Sequence, residues 1–415
     1  MAITFDRMSN KPRHPIGFAP PPIDEHTIEA VTRVLRSGWI TTGPEVAAFE
    51  EDLQAYLGAS HVGCFGSWTA GAELVWRWWG LGPGDEVIVP AITFAATANI
   101  VLHCGATPVI VDIDPRDWNV SLERIAEAMG PNTKGIMPVD LGGWPVDYRA
   151  MKQLVEHGAA QFRPQNTVQE QLGRPLFFSD AAHSFGAQID HELVAAQADF
   201  TAFSFHAVKN LTTAEGGAIA CGLPEGFDRD EVMRWLKIWG LHGATRDALA
   251  KTKGGQWHYD VVGAGYKCNM TDLQAAIGRA QLPQYPDQLA RRETLAAQYD
   301  RGLSHLDGLQ LGCRRDQRRT SAFHLYALQL HGWTASKRDQ LIDHLRADGI
   351  PSNVHFIPLP RLQVHQQRGI DPGNFPVAEA YFNGAISLPL HTALSDEQLN
   401  WIIDRFCFHF EALRP

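Results

Sequence analysis

Short apolar runs alternate with helical patterns through the first two thirds of the chain. Runs such as "DEVIVP", "TPVIVDID" and "PLFFSD" are bounded by Gly, Pro and Asp, and segments such as "SLERIAEAMG" and "YRAMKQLVEHG" stand between them with helical spacing. Strand-like runs that alternate with helices are typical of βαβ units on a mainly parallel sheet. The sequence therefore predicts an α/β fold.

The pattern changes near residue 285, where "LPQYPDQLARRETLAAQYDRGL" predicts a long amphipathic helix leaving the sheet region. We predict a large domain over residues 1–285 and a smaller α+β domain over residues 286–415. Between two predicted elements of the large domain lies "RPQNTVQEQLGR", which is longer than the usual connection and lacks clear periodicity. We interpret the stretch around residues 161–174 as a surface insertion.

Composition narrows the class of protein. The chain has 415 residues, 45% of them hydrophobic and 20% charged, which is typical of soluble globular proteins. A net charge of −10 argues against a nucleic-acid partner, and no apolar stretch predicts an export signal or a membrane span. Six scattered cysteines and eighteen histidines form no metal-binding motif. We expect a cytoplasmic protein without a metal, nucleic-acid or membrane partner.

One lysine stands out in "SFHAVKNLTTAEGG", where Lys209 lies between an apolar run and a glycine pair. A lone lysine in a loop is usually a solvated charge. It becomes a covalent catalyst when a carbonyl compound is held beside it, as in enzymes that use pyridoxal 5'-phosphate (PLP). Such a site also needs a carboxylate facing the pyridinium nitrogen, a flat group over the ring and donors for the phosphate.

Each of these parts has a candidate at a predicted strand end or loop. Asp180 ends "PLFFSD" and is suited to face the ring nitrogen, although it would also serve as a helix N-cap. Phe94 could cover the ring or belong to the core. Hydroxyl donors for the phosphate are Ser67 and Thr69 at a predicted helix start and Ser204 near the lysine, and simple capping is the alternative for the first two.

The order of these motifs resembles a known family over nearly the whole chain. It is carried by "SGWITTGPEVAAFEEDLQAYLGASHV", "FSFHAVKNLTTAEGG" and "GYKCNMTDLQAAIGRAQL". They resemble the DegT/DnrJ/StrS family of PLP-dependent nucleotide-sugar aminotransferases. The resemblance implies fold type I, the aspartate aminotransferase-like fold, with a mainly parallel sheet in the large domain. It also implies an N-terminal arm, about residues 1–44, that packs with the active site.

The resemblance assigns roles residue by residue. Lys209 becomes the lysine that bonds covalently to PLP, Asp180 the partner of the pyridine nitrogen, His183 a neighbour of the phenolic oxygen, and Phe94 the group on the ring face. The phosphate loop and its contacts are Ser67, Trp68, Thr69 and Ser204. Trp68 departs from the family, because most relatives have a small residue there.

The resemblance also implies a homodimer with shared active sites, in which an asparagine of the neighbouring subunit reaches the phosphate. Asn269 is the candidate, and Lys267 is the alternative because other members carry asparagine at its position. Sugar contacts are assigned to Trp39 and Thr41 in "GWITTGP" and to His355 in "NVHF". Read without the resemblance, these three are a buried Trp, a turn Thr and a satisfied His.

The implied reaction moves an amino group from L-glutamate to a nucleotide-linked keto-deoxysugar, with the 4-keto sugar favoured. PLP alternates with pyridoxamine 5'-phosphate during this reaction. Related dehydratases carry histidine in place of the lysine, so Lys209 favours transamination. Two alternatives remain: a non-catalytic regulator or scaffold that binds PLP or a nucleotide sugar, and a different fold-type-I enzyme such as a decarboxylase, lyase or amino-acid aminotransferase.

Overall fold

A computed structural model describes residues 12, 14–245 and 258–414. The strands, numbered along the chain, are β1 Val62–Phe65, β2 Glu86–Pro90, β3 Thr107–Val111, β4 Thr133–Ile136, β5 Leu176–Asp180, β6 Gln188–Ile189, β7 Glu192–Leu193, β8 Phe200–Ser204, β9 Gly217–Cys221, β10 Leu309–Leu311, β11 Arg319–Thr320, β12 Tyr326–Leu330 and β13 Ala385–Leu388.

The helices connect and cover these strands. They are α1 Glu25–Ser37, α2 Pro44–Leu57, α3 Trp68–Trp79, α4 Ala96–His103, α5 Leu122–Ala128, α6 Tyr148–Gly158, α7 Thr167–Leu172, α8 Arg229–Trp239, α9 Asp272–Gln281, α10 Tyr285–Leu303, α11 Ala335–Ala347, α12 Gln363–Gln366, α13 Pro376–Gly384 and α14 Asp396–Leu413. Many begin at a side chain that accepts a backbone N–H, as Ser67 does for α3 and Asp147 for α6.

Seven strands form the main sheet, in the order β1-β9-β8-β5-β4-β2-β3. The pairs from β8 through β3 are parallel, and β9 is antiparallel to both β1 and β8. The predicted α/β class with a mainly parallel sheet is confirmed. Because parallel strands end at the same edge, the chain segments that follow β2, β4, β5 and β8 meet there, and ligands bind at this edge in open α/β sheets.

Two apolar cores cover the two faces of this sheet. Val87 and Val89 of β2 belong to one core and Ile88 to the other, as expected when successive side chains of a strand point to opposite faces. The first core contains Trp76 and Trp79 of α3, both fully buried. Burying an indole of this size contributes about 5 kcal/mol, so the tryptophan-rich helix stabilises the fold.

The stretch predicted as a surface insertion has more structure than expected. Residues Thr167–Leu172 form α7, and Phe162 stacks on Trp79 with ring centroids 6.3 Å apart. The side-chain amides of Asn166 and Gln169 both donate to the carbonyl oxygen of Trp79, at 3.1 and 3.0 Å. The segment is therefore tied to the core, because it covers the end of α3.

A second sheet, β10-β12-β13, packs with α10, α11 and α14 around a separate apolar core. The predicted long helix is present as α10, directly after a 3-10 turn at Leu282–Gln284. β11 crosses back to pair with β6 beside the main sheet.

The domain boundary at residues 285/286 stays a prediction. No helix among the described residues is both long and apolar enough to cross a membrane.

Candidate active site

A cavity of about 380 Å³ lies at the edge of the main sheet where the parallel strands end. Its walls include nine of the residues singled out in the sequence: Ser67, Trp68, Thr69, Phe94, Asp180, His183, Ser204, Lys209 and His355. Residues from distant parts of the chain thus meet in one cavity of a size that suits a small ligand. Trp39, Thr41 and Asn269 are not among its walls.

The loop that carries Lys209 connects β8 to β9 and is closed by hydrogen bonds. The Phe205 N–H donates to the Gly216 carbonyl at 2.9 Å, and the Thr212 hydroxyl donates to the Phe205 carbonyl at 3.0 Å. Within it, the Lys209 N–H donates to the His206 carbonyl at 2.8 Å. The polar residues after the lysine therefore hold its loop in shape.

The Lys209 ammonium is half-buried and makes no side-chain hydrogen bond with the residues that the structure describes. Burial lowers the pKa of Lys209 to about 8, and the charge of Asp180 opposes this shift. A larger share of this amine is therefore neutral near neutral pH than for an exposed lysine, and the neutral amine is the nucleophilic form.

Asp180 is the last residue of β5, and both of its carboxylate oxygens accept hydrogen bonds. Thr97 donates to Oδ2 at 2.8 Å, and the Ala182 N–H donates to Oδ1 at 3.2 Å. Burial raises the pKa of Asp180 to about 6, opposed by these two bonds and by Lys209. No described helix begins here, so the alternative of a helix N-cap is wrong. A buried carboxylate of this kind is suited to pair with a protonated ring nitrogen.

His183 is held as a neutral ring. The Gly142 N–H donates to its Nδ1 at 3.2 Å, and burial lowers the pKa of His183 well below its usual value, assisted by Lys209. The proton of the neutral ring therefore lies on Nε2, which is available as a donor. Gly143 makes this contact possible: its φ is 99°, and a Cβ there would lie 3.0 Å from the His183 carbonyl oxygen.

His324 is a wall residue that the sequence analysis missed. Its Nδ1 pairs with the Asn210 side-chain oxygen at 3.0 Å, and the Asn210 amide donates to the Ala322 carbonyl at 2.7 Å. Its ring centroid lies 4.4 Å from that of His183. No local pattern pointed to His324, since it reaches the cavity from a segment more than a hundred residues further along the chain.

The N-terminus of α3 forms another wall of the cavity. The Ser67 hydroxyl accepts the Ala70 N–H at 3.1 Å, so the capping alternative is correct for this oxygen. The first amides of a helix have no acceptor within it and favour an anion. Gly217 of β9 lies against this turn, and a Cβ at that position would be only 2.4 Å from the Trp68 nitrogen.

Two aromatic residues line the mouth. Phe94 is 63% exposed, which excludes the alternative that it belongs to the core, and its ring lies 6.0 Å from that of Phe356. His355 pairs through Nδ1 with the Ser387 hydroxyl at 3.0 Å, and Phe18 stacks on its ring at 5.8 Å. The described part of the N-terminal segment therefore contacts a wall residue of the cavity.

The three predicted residues outside the cavity come from neighbouring segments. The Asn269 amide donates to the Thr42 hydroxyl at 2.5 Å and its oxygen accepts from Lys267 at 2.5 Å, while Trp39 donates to the Thr42 carbonyl at 3.2 Å. The Thr41 carbonyl accepts the first amide of α9 at 3.1 Å. Thr42 and Asn269 line a separate groove of about 470 Å³.

The cavity fits PLP by its chemistry. It offers an amine that no described side chain binds, a buried hydrogen-bonded carboxylate, a neutral histidine donor, an exposed aromatic ring and a helix N-terminus. These are the groups that the cofactor requires at its aldehyde, ring nitrogen, phenolic oxygen, ring face and phosphate. Fold and site together define a PLP-dependent enzyme of fold type I.

Comparison with known proteins gives the family. Residues 21–407 match the DegT/DnrJ/EryC1/StrS aminotransferase family, and the chain belongs to it. The resemblance stated from the motifs is confirmed, as are the enzyme class, a PLP-dependent aminotransferase, and the cofactor. The alternatives of a non-catalytic scaffold and of a lyase or decarboxylase are not supported.

Relatives match along their full length. The spore coat polysaccharide biosynthesis protein SpsC of Bacillus subtilis is 35% identical, covering 96% of this chain and 97% of SpsC. Spr1654 of Streptococcus pneumoniae, assigned as a sugar aminotransferase, superposes in its pyridoxamine phosphate form with a TM-score of 0.93 at 41% identity, covering 96% and 100%. PseC of Helicobacter pylori, an aminotransferase of pseudoaminic acid biosynthesis, gives 0.85 at 27%, covering 96% and 100%.

Proposed function

We propose that this enzyme transfers the amino group of L-glutamate to a nucleotide-linked keto-deoxysugar, with the 4-keto sugar favoured. The names of SpsC, Spr1654 and PseC, which refer to a polysaccharide, a sugar and pseudoaminic acid, support a sugar substrate. The 4-keto preference rests on the stretches "GWITTGP" and "VHFIPL" alone. The observation that carries the proposal is the unpartnered amine of Lys209 in the same cavity as the hydrogen-bonded Asp180.

The residues of the cavity divide the work of transamination. Bound PLP supplies an electron sink for the bond broken at the substrate carbon. Lys209 Nζ takes the proton from the α-carbon of glutamate, and it returns a proton to the sugar carbon that gains the amine. Asp180 keeps a proton on the ring nitrogen, since its buried carboxylate gains a charged partner there.

The remaining walls orient the reacting groups. His183 would donate from Nε2 to the phenolic oxygen, because its Nδ1 is engaged by Gly142. Phe94 would cover one face of the cofactor ring, since its side chain is exposed and lines the cavity. The start of α3, with Ser67 and Thr69, and the hydroxyl of Ser204 hold the phosphate.

The sugar lies on the side of the cavity bounded by His355. Phe18 stacks on this histidine and holds its ring in place at the wall of the cavity. Trp39 and Thr41 act on the sugar as well. We propose that they do so from the partner subunit, since neither they nor Asn269 line the cavity of their own chain.

A homodimer with shared active sites would explain why Trp39, Thr41 and Asn269 lie outside the cavity of their own chain. If Asn269 reaches the phosphate in the partner, mixing Lys209→Ala chains with Asn269→Ala chains creates hybrid dimers in which one site is intact, and activity returns. Measurement at limiting PLP exposes the loss of a single phosphate contact. If subunits exchange and Asn269→Ala is impaired without rescue, Asn269 acts within its own chain, and Lys267 becomes the next residue to test.

The substrate is tested by incubating the enzyme with PLP, L-glutamate and a panel of nucleotide-linked 3-keto and 4-keto sugars, followed by mass measurement of the products. We expect an amino sugar from a 4-keto substrate and none with Lys209→Ala. Amination of amino-acid keto acids with no sugar product would contradict the proposal.

The six cysteines of the protein are unpaired, which suits the reducing cytoplasm in which we propose that the enzyme acts.

A further inference from the structure

The hydrogen bonds of His324 fix which of its ring nitrogens carries the proton. Its Nδ1 pairs with the Asn210 side-chain oxygen at 3.0 Å, and the Asn210 amide donates to the Ala322 carbonyl at 2.7 Å. A carbonyl oxygen only accepts, so the amide nitrogen of Asn210 must face Ala322 and its oxygen must face the histidine. Nδ1 of His324 is therefore the donor, and Nε2 is left as a hydrogen-bond acceptor.

This acceptor is within reach of a ligand. His324 is a wall residue of the cofactor cavity, and its Nε2 makes no hydrogen bond with the residues that the structure describes. It is not enclosed either, in contrast to both ring nitrogens of His365, which are buried without a partner. Burial lowers the pKa of His324 well below its usual value, assisted by His183 and Lys209, so the ring stays neutral and Nε2 keeps its lone pair.

His324 lies between the cofactor end and the proposed sugar end of the site. Its ring centroid is 4.4 Å from that of His183, the proposed donor to the phenolic oxygen. It also lines a smaller cavity of about 30 Å³ together with His355 and Phe18, and His355 is a wall of both cavities. A substrate that extends from the cofactor towards His355 therefore passes the acceptor nitrogen.

The two substrates differ in what they offer to an acceptor. Apart from its amine, L-glutamate has two carboxylates, which accept hydrogen bonds and do not donate them when ionised. A deoxysugar has hydroxyl groups, which donate. The amine of Lys209 is reserved for the cofactor aldehyde, so it does not supply the donor in the loaded enzyme. The acceptor is therefore suited to the sugar.

We propose that His324 Nε2 accepts a hydrogen bond from a hydroxyl group of the keto sugar, near the carbon that gains the amine. The inference rests on the proposed function, because it needs a sugar substrate. The bond orients the sugar and favours a hydroxylated substrate over a dicarboxylate. Asn210 is a positioning residue, since it directly follows Lys209 in the chain and holds the proton of His324 on Nδ1.

Two substitutions separate the roles of the two nitrogens. His324→Asn keeps an amide near the position of Nδ1 and has no group at Nε2, whereas His324→Gln brings an amide oxygen near Nε2. Stopped-flow absorbance follows each half-reaction of the full-length enzyme: the PLP form with L-glutamate, and the pyridoxamine 5'-phosphate form with the nucleotide-linked keto sugar that the wild type aminates. We expect His324→Asn to lower kcat/KM of the sugar half-reaction about tenfold more than that of the glutamate half-reaction, the loss of one buried hydrogen bond. His324→Gln should recover most of this loss.

Three results for the variants would overturn the inference. Unchanged sugar kinetics of His324→Asn would show that Nε2 is not used. Equal slowing of both half-reactions would show that His324 acts on the cofactor or shapes the cavity. His324→Gln as slow as His324→Asn would contradict the role of an acceptor. If the wild type aminates no sugar of the panel, the proposed function itself fails and the inference falls with it.

The wild-type enzyme decides if His324→Asn does not fold. Its histidines are labelled with ¹⁵N, and the probe is the nucleotide-linked sugar whose keto group has been reduced to a hydroxyl, so that no reaction occurs. One ring-nitrogen resonance without a bound proton should shift with this probe and not with glutarate, a dicarboxylate without an amine. The absence of such a shift contradicts the assignment.

Discussion

Two lysine–aspartate pairs lie at opposite edges of the main sheet. Asp180 ends β5 and Lys209 follows the carboxyl end of β8, whereas Asp85 precedes β2 and Lys134 lies in β4, near the amino ends of these strands. Burial lowers the pKa of both lysines and raises that of both aspartates. By their shifted pKa values alone, both pairs would be candidates for a functional site.

The two pairs differ in what surrounds the lysine. Lys134 donates to the Arg163 carbonyl, lies 3.8 Å from an Asp85 oxygen and is 5.3 Å from the centre of the Phe162 ring. The ammonium is thus enclosed by the segment that contains α7. Lys209 has no such partner among the described residues and opens onto a cavity. A shifted pKa indicates a functional group where that group has no partner and a ligand can reach it. Where the group is paired and enclosed, the shift reflects a structural role.

The largest effect is expected at Lys209. Lys209→Ala and Lys209→Arg should reduce amination by at least about 10³-fold, because neither side chain can bond to the cofactor aldehyde or move the proton at the substrate carbon. Steady-state rates with glutamate measure the loss, and circular dichroism checks the fold. Near-native turnover by either variant would show that the Lys209–Asp180 pair does not carry out the reaction.

Asp180→Asn should slow the conversion of bound PLP to pyridoxamine 5'-phosphate by glutamate by about 10²-fold or more. The amide keeps the size and loses the charge that holds the ring nitrogen protonated. Stopped-flow absorbance follows this half-reaction. An unchanged rate would mean that another group faces the ring nitrogen.

Lys134→Met should destabilise the fold and spare the chemistry. It leaves Asp85 buried without its cation, which costs about 3 kcal/mol. Urea unfolding measures the free energy of unfolding, and active-site titration gives turnover per folded molecule. A loss of turnover at full cofactor occupancy would show that the two edges are not separate in function.

The effect of pH on the rate of cofactor capture should be smaller than the effects of these substitutions, and its direction follows from the pKa of Lys209. Since the pKa of Lys209 is lowered to about 8, its neutral form predominates above that pH and falls about tenfold for each unit below it. The rate at which apoenzyme captures PLP should therefore rise from pH 6 and level off above pH 8. A midpoint near the 10.5 of an ordinary lysine would contradict the burial of this amine.

The sequence predicted the functional residues that lie at or just after the ends of strands. Lys209, Asp180 and Phe94 each come directly after an apolar run or its turn, and parallel strands bring such positions to one edge. The parts that could not be predicted depend on contacts between distant segments. Thr97 donates to Asp180 from the first turn of α4, and His324 enters from the segment before β12.

Side-chain roles were ambiguous in the sequence for a physical reason. Ser67 was assigned either to phosphate binding or to capping, and its oxygen caps α3 at the wall of the cavity. A polar residue at a helix start serves both purposes, since the cap leaves neighbouring amides free. The stretch at 161–174 showed no periodicity because α7 is too short to display one.

Chemical trapping of the cofactor tests the central claim most directly. The enzyme loaded with PLP is reduced with borohydride, digested and mapped by mass spectrometry, with and without prior addition of L-glutamate. We predict one phosphopyridoxyl group on Lys209, none on Lys134, and loss of the label when glutamate is added first, because the cofactor has then left the lysine as pyridoxamine 5'-phosphate. A label on another lysine, or one that survives glutamate, would contradict the account.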